Sequence, residues 1–323
     1  MSVTMKDVAQ SAGVSVATVS RALAGLSVAE AKRLAVQRAC ERLGYRPDAL
    51  AAALRTRSSG SVGILVPDIT SPFFPAVVQT VEHELADAAI DIVLGDSNND
   101  VTVEARRLEM LLRRRVDALL VCPVDSRRSA PALRSAARYV RVLQVDRWSI
   151  EEADFVGVDQ LAGMSDIVQH LRSCGAESAV FAGLHEGMSS IVERAEAFET
   201  ACQKFGVEAW PTVGLDVPSV VAGREFARKL ISQRKLPGAV ACANDEVAFG
   251  VLVELRAAGI ACPADVSVTG YDDIPAAELM GLTTVRQPLP ELGREAARLL
   301  QHESNAARHV RLTPTLVLRS TTT

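Results

Sequence analysis

Carboxylates, amides and an arginine recur where the apolar runs of this chain end. Asp68 and Ser71 follow SVGILVP, and Asp96, Ser97 and Asn98 follow IDIVLG. Asp146 and Arg147 follow YVRVLQV, Asn244 and Asp245 follow GAVACA, and Asp272 and Asp273 follow DVSVTGY. Gathered around a partly apolar cleft, such groups suit a polyhydroxylated ligand, because each acceptor pair takes hydroxyl protons. Any one Asp or Asn also suits a helix N-cap or turn, and that plainer role is expected for Asp68, Asp96 and Asp245. Phe73 is the candidate to stack on a sugar or base ring. Phe74 falls on the apolar side of the helix that follows, in spacing with Val77, Val78, Val81, Leu85 and Ala88, and belongs to the core.

Apolar runs separated by helices near 74–89, 101–115 and 129–138 position these groups, and a second series follows with ESAVFAG, GAVACAND and DVSVTGYDD. Fully apolar strands alternating with helices predict parallel sheets covered on both faces. Two such series predict two doubly wound lobes with a cleft between them. Open α/β sheets bind ligands beyond the carboxyl ends of their strands, where the polar residues stand.

The first 60 residues differ. TMKDVAQSAGVSVATVSRAL reads as two short helices, the first capped by Thr4 with Asp7 three positions on. Met5, Val8, Ala9 and Ala12 share its buried face, Gly13 suits a left-handed stop, and Ser15 caps the second helix. On that helix Val19, Ala22 and Leu23 turn inward while Val16, Ala17, Ser20 and Arg21 share the other face. This is helix-turn-helix geometry, with the second helix shaped for a major groove; a plain αα-hairpin has the same spacing. A third helix is expected from about Ser27 to Leu43, with Val28, Ala31, Leu34, Ala35 and Leu43 inward and Gly44 ending it. Pro47–Leu54 is alanine-rich but only about two turns long, too short to stand alone in water, so it reads as a helix that forms only when held. Residues 55–60 read as a linker.

The charges divide the same way. The net charge of −4 conceals nine Lys/Arg against four acids in residues 1–60, or +5, leaving −9 for the remainder. A basic head on an acidic body fits a phosphate-binding module whose body DNA would repel; a solvated helical surface gives the same count.

Other chemistries lack their residues. There is no G-x-G-x-x-G after a strand, no P-loop and no G-x-S-x-G elbow. The five histidines are scattered, and His185-Glu186-Gly187 reads as a surface loop. The six cysteines lie singly and are expected as reduced, buried thiols. No catalytic residues, metal site or cofactor are expected. No apolar run reaches membrane-spanning length and the N-terminus lacks the order of a secretion signal, so a cytoplasmic, nucleoid-associated protein with no membrane partner is expected.

Three stretches carry a resemblance: KDVAQSAGVSVATVSRAL, LGYRPDALAAALRTR and SVGILVPDITSPFF. With them the chain resembles the LacI/GalR (lactose/galactose-repressor) family, and the likeness runs to the last strand. It implies an α/β fold: an N-terminal helix-turn-helix head plus two doubly wound parallel-sheet lobes of periplasmic-binding-protein type. Residues 1–45 would bind DNA, 46–60 form a hinge helix and linker, and 61–323 form the effector-binding and dimerisation core. One lobe would hold about 61–157 and 288–313, the other about 158–287 and 314–323, with crossings near 158, 287 and 314. The resemblance places Val16, Ala17 and Arg21 at base edges and Leu54 as a minor-groove wedge; Thr4, Ser15, Thr18, Ser20 and Tyr45 complete the DNA-facing set. Asp146, Arg194, Asp272 and Gln287 match positions that hold the effector in sugar- and nucleobase-sensing relatives, with Ser71, Phe73 and Asn244 beside them.

Three departures stand out. Ala24-Gly25-Leu26 is short, Ala52 and Ala53 replace basic or polar residues before the wedge, and Ala197 replaces a glycine near Arg194. The implied function is a ligand-responsive regulator, a repressor of carbohydrate or nucleoside utilisation genes. It would bind a near-palindromic double-stranded DNA operator as a homodimer, switched by a sugar, sugar phosphate or nucleoside/base. A solute-binding protein of a transport system would share the body but not the basic head. A cytosolic sugar-metabolising enzyme would need the phosphate loop or catalytic cluster that the chain lacks.

Overall fold

The computed structural model describes residues 3–23, 26–45, 58–233, 235–302, 304 and 306–322. Ala24, Gly25 and the segment containing Pro47, Ala52, Ala53 and Leu54 lie outside the described residues, so the short connection, the hinge helix and the wedge have no structural account. The chain divides into two compact units, Met1–Ser59 and Gly60–Thr323.

The head begins with α1 (Met5–Ala12), where the Thr4 hydroxyl accepts from Asp7 N and Asp7 Oδ2 accepts from Thr4 N at 2.8 Å. This reciprocal cap satisfies donors that the first turn leaves free. Gly13, at φ +65°, ends the helix in the left-handed conformation that costs a glycine least. Ser15 Oγ accepts from Thr18 N at 3.1 Å to start α2 (Val16–Leu23). The third helix, α3 (Glu30–Leu43), starts three residues later than expected, behind Ala29, which offers no side-chain cap. Its buried stripe also lies elsewhere: Val36 and Ala39 are inside, with Cys40 and Leu43 packed against them, while Ala31 and Leu34 face solvent. Val36, Ala39, Cys40 and Leu43 hold the i, i+3, i+4, i+7 relation, and they set the phase of the helix against Val8, Ala9 and Val19.

The body runs β1 (Ser61–Val66), α4 (Phe73–Ala86), β2 (Asp91–Asp96), α5 (Val101–Arg113), β3 (Ala118–Val121), α6 (Ala130–Ala136), β4 (Arg141–Val145) and β5 (Asp154–Val158). It continues through α7 (Gln160–Ser173), β6 (Ser178–Leu184), α8 (Ser189–Phe205), β7 (Glu208–Ala209), β8 (Val213–Gly214), α9 (Val220–Ser232), β9 (Ala239–Cys242), α10 (Asp245–Ala257), β10 (Ser267–Asp272) and α11 (Pro275–Leu279). The last elements are β11 (Thr283–Arg286), α12 (Leu289–Gln301), β12 (His309–Leu312) and β13 (Thr315–Val317). One sheet has the order β12-β5-β4-β3-β1-β2 and is parallel throughout. The other has the order β13-β11-β10-β9-β6-β7, with β8 on β6, and only β13 runs antiparallel. These sheets define a first and a second lobe, the doubly wound pair that the alternating pattern predicts. The chain leaves the first sheet after β5, returns after β11 through α12, and crosses again between β12 and β13.

Central strands such as β3 and β5 are buried along their whole length. Edge strand β2 departs from the expectation of two covered faces, with Leu94 exposed. Of the cysteines, Cys122, Cys202 and Cys242 are buried as expected, but Cys174 is exposed at the end of α7.

Candidate functional site

Strands of both sheets end at a cleft of about 680 Å³, a volume that includes the solvent at its mouth. Six of the seven expected effector residues line it: Ser71, Phe73, Asp146, Arg194, Asn244 and Asp272. Gln287 does not; it is buried behind Asp272, where its Nε2 donates to Asp272 Oδ1 at 2.7 Å.

Two carboxylates face each other from strand ends whose backbone leaves the usual region. Asp146 follows β4 at φ +63° and Asp272 ends β10 at φ +107°, conformations that a packed surround must hold. Burial pushes the Asp272 carboxyl up to about 7 against the pull of Arg194, and the Asp146 charge adds to the rise. Arg194 of α8 is held on every side. Its Nε donates to Gln160 Oε1 at 2.8 Å, its Nη1 to Ala243 O at 2.7 Å, and its Nη2 lies 3.8 Å from Asp272 Oδ1. The guanidinium also stacks 3.7 Å from the Tyr271 ring centroid. Ala197, three positions on, is buried in the core of the second lobe.

Arg147 is the counterpart on the first lobe; the strand-end pattern places it among the ligand-suited groups, while the set implied by the resemblance leaves it out. It is 9% exposed, sits 5.6 Å over the Phe74 ring, and meets Asp146 Oδ2 only at 3.5 Å from Nε. Its Nε and Nη1 have no hydrogen-bond partner among the described residues. Buried donors without acceptors are uncommon and costly, so acceptors on a ligand would complete this side chain. Phe73 lines the cleft as expected, and so does Phe74: both are buried, and their rings meet edge to face at 5.3 Å.

Other expected polar residues separate by partner. Asn244 lines the cleft while its Oδ1 caps α10 through Val247 N at 2.9 Å. Asp68 also does both, accepting from Thr70 N at 2.8 Å and lining the wall. Asp96 makes an Asx turn with Asn98 N. Asp245 points away from the cleft into the second lobe, where it accepts from Ile274 N at 2.8 Å and Thr284 Oγ1 at 2.5 Å. Gly270 makes room for it, since a Cβ there would lie 2.2 Å from Asp245 Oδ1. Burial, with the Asp272 charge next, pushes Asp245 up to about 8.

The remaining wall comes from Asn99 and Glu246, near strand ends, and from Met188, Ser190, Ile191, Val217, Pro218 and Ser219, none of which follows a long apolar run. Contacts join the lobes around the cleft. Ser71 Oγ donates to Glu246 Oε2 at 2.9 Å, Ser126 N to Gly187 O at 2.7 Å, and Trp148 Nε1 to Glu193 Oε1 at 2.8 Å. His185-Glu186-Gly187 is therefore more than a surface loop; it bridges the lobes.

In the head, Val16, Ala17 and Arg21 stand exposed on one side of α2. Arg21 Nη2 donates to Ser27 O at 3.2 Å. Thr4 and Ser15 are engaged as helix caps, and Ser15 Oγ lies 2.9 Å from Thr18 Oγ1. Ser20 is half-buried, as is Tyr45, which packs against the head core. No helix among the described residues is long and apolar enough to cross a membrane.

Comparison with known proteins finds two separate family matches along the chain. Residues 4–48 match the profile of bacterial regulatory proteins of the lacI family, and residues 168–322 match a periplasmic binding protein-like domain. The chain is 32% identical to the HTH-type transcriptional regulator RegA of Clostridium saccharobutylicum, over 93% of this chain and 92% of RegA. It is 30% identical to the HTH-type transcriptional repressor PurR of Haemophilus influenzae (strain PittEE), over 98% and 97%. The crystal structure of the Lac repressor dimer bound to operator and the anti-inducer ONPF superposes with a TM-score of 0.87 at 25% identity, covering 100% of this chain and 99% of that one. These relatives are regulators rather than enzymes or transport components. With its matching head, its two lobes and relatives aligned along nearly its whole length, the chain belongs to the LacI family of DNA-binding transcriptional regulators.

Proposed function

We propose that this regulator acts as a homodimeric repressor whose affinity for a near-palindromic operator is set by an uncharged, polyhydroxylated ligand in the cleft. The observation that carries the ligand class is the balance of the wall. Asp68, Asp146, Glu246 and Asp272 face only two guanidiniums, Arg147 and Arg194, and Arg194 is already engaged. A phosphorylated sugar would bring negative charge to a wall already rich in carboxylates. A flat base would want a slot between two apolar faces, whereas polar groups ring this cleft. Hydroxyls suit it, donating to the carboxylates and accepting from the open Arg147 donors.

Base contact is assigned to Arg21, with apolar contact from Val16 and Ala17. Thr4, Ser15, Thr18, Ser20 and Tyr45 serve the head by fixing its helices and the backbone amides that meet phosphate. Leu54 is assigned as the minor-groove wedge on the strength of the family likeness. Dimerisation is supported by apolar exposure on the second lobe, where Leu279 is 88% exposed beside Met280, which shares a shallow groove with Val253. Ligand binding would change lobe closure, and with it the spacing of the two hinge segments in a dimer.

The test is a thermal-shift series with ribose, galactose and glucose, their phosphates, adenosine and hypoxanthine. A rise in melting temperature confined to unphosphorylated sugars is expected. A response confined to phosphates or to the purines would overturn the ligand class.

A further inference from the structure

Residues 101–140 carry nine arginines and no lysine against four acids, opposite in sign to the body as a whole. Most lie on the outside of one helical layer, whereas Arg127 and Arg128 stand in the turn before α6. Leu108 and Leu111 of α5 and Leu133 and Ala136 of α6 face the first sheet, whereas Arg106, Arg113, Arg114, Arg115, Arg134 and Arg138 are exposed. Both helices end at the edge where the strands of that sheet begin. Arg113, Arg114 and Arg115 come just before β3, and Arg138 just before β4; Ala118 of β3 lies beside both Val62 of β1 and Arg141 of β4. The chain reaches the body from the head at this same edge. Gly60 N donates to Asp117 Oδ2 at 2.8 Å, and Asp117 N donates to Ser61 O at 2.8 Å.

The acids nearby answer only part of this charge; exposed Asp91, beside Ser61 at the start of β2, shares the edge without an ion pair to an arginine among the described residues. Asp117 is turned to Gly60, Glu109 meets Arg113 only at 3.7 Å, and Glu152 takes Arg134 at 3.1 Å. Arg114, Arg115 and Arg138 make no side-chain hydrogen bond or ion pair among the described residues. Arg115 also holds φ +58°, a conformation that glycine adopts more cheaply.

We propose that this arginine edge of the first lobe is a second DNA-contacting surface that grips backbone phosphates of the duplex bound by the head. The inference rests on DNA binding by the head. A linker of 46–59 extends at most about 3.3–3.6 Å per residue, so a duplex on the head stays at high local concentration around this edge. Guanidiniums match phosphate oxygens in pairs. Such contacts add affinity without reading sequence.

The test compares full-length wild type with an Arg114→Gln/Arg115→Gln/Arg138→Gln variant. The probes are a duplex that the wild type enriches from a random pool and a scrambled duplex, each at several salt concentrations. The slope of log affinity against log salt is expected to fall by about 0.9 for each phosphate that is no longer neutralised, so by roughly two to three units. Both duplexes should lose affinity alike, leaving discrimination between them unchanged. Arg138→Gln alone should lower the slope by about 0.9, which keeps the test open if the triple variant folds poorly. Arg172→Gln/Arg228→Gln/Arg256→Gln, which removes the same charge from the second lobe, should leave the slope as it is. An unchanged slope in the first variant, or an equal fall in the control, overturns the inference. So does dissociation of the first variant to monomers in sedimentation, which would assign the cluster to a subunit interface. Wild type that binds no duplex would instead overturn DNA binding by the head, and this inference with it.

Discussion

Arg147 and Arg194 approach one cleft from opposite lobes and are held in opposite ways. Arg194 has an amide oxygen, a backbone carbonyl, a carboxylate and an aromatic face around it. Arg147 has one loose carboxylate contact and an aromatic ring, with two nitrogens left over. The second-lobe arginine is thus engaged within the fold, whereas the first-lobe arginine keeps donors open for the proposed ligand. A side chain already held lowers the ordering cost of binding. Open donors on the lobe that carries the linker give a ligand something to change there, and only such differential contact can shift a conformational equilibrium.

Four substitutions test that contrast. Arg194→Ala should have the largest effect, because it leaves the buried Gln160 Oε1 and Ala243 O without their donor; a loss of about 3 kcal/mol or more is expected in denaturant unfolding, with no ligand response. Arg147→Gln should change unfolding by no more than about 1 kcal/mol, yet lower ligand affinity about 10- to 100-fold in calorimetry by removing charge-assisted hydrogen bonds. Equal destabilisation by the two variants would erase the distinction between the two arginines.

Asp245→Asn comes next and reads out in pH. The folded protein holds Asp245 protonated up to about 8, against 3.8 as its ordinary value. Its contribution to stability is therefore complete below about pH 4 and lost as pH rises through about 8. Asn in its place should flatten the fall in stability across that window, and a profile as steep as wild type would contradict the assignment. Ser71→Ala should have the smallest effect, removing one lobe-to-lobe hydrogen bond worth about 1 kcal/mol. A few-fold change in ligand affinity is expected, with stability nearly unchanged.

What the residue pattern revealed, and what it concealed, follows the range of the interactions. Thr4 with Asp7, Gly13 and Ser15 were legible because a cap is decided within four residues. The start of α3 was not, since Ala29 offers no cap and the buried stripe depends on Val8 and Val19 in other helices. Asp146 and Asp272 were legible as polar residues at strand ends, but Asp245 follows the same rule and turns inward. A strand-end carboxylate can face cavity or core, and room left by the distant Gly270 decides which. Val217, Pro218 and Ser219 were not legible because β7 and β8 are two-residue strands without an apolar run to mark their ends. Ser71 with Glu246 joins residues 175 positions apart, beyond any local pattern.

The decisive measurement is the affinity of the full-length chain for the duplex it selects, followed by fluorescence anisotropy with and without a saturating sugar that raises its melting temperature. Coupling of about 1–3 kcal/mol predicts a shift in Kd of roughly 5- to 150-fold in wild type and none in Asp272→Ala. An identical Kd with and without that sugar in wild type would contradict control of DNA binding from the cleft.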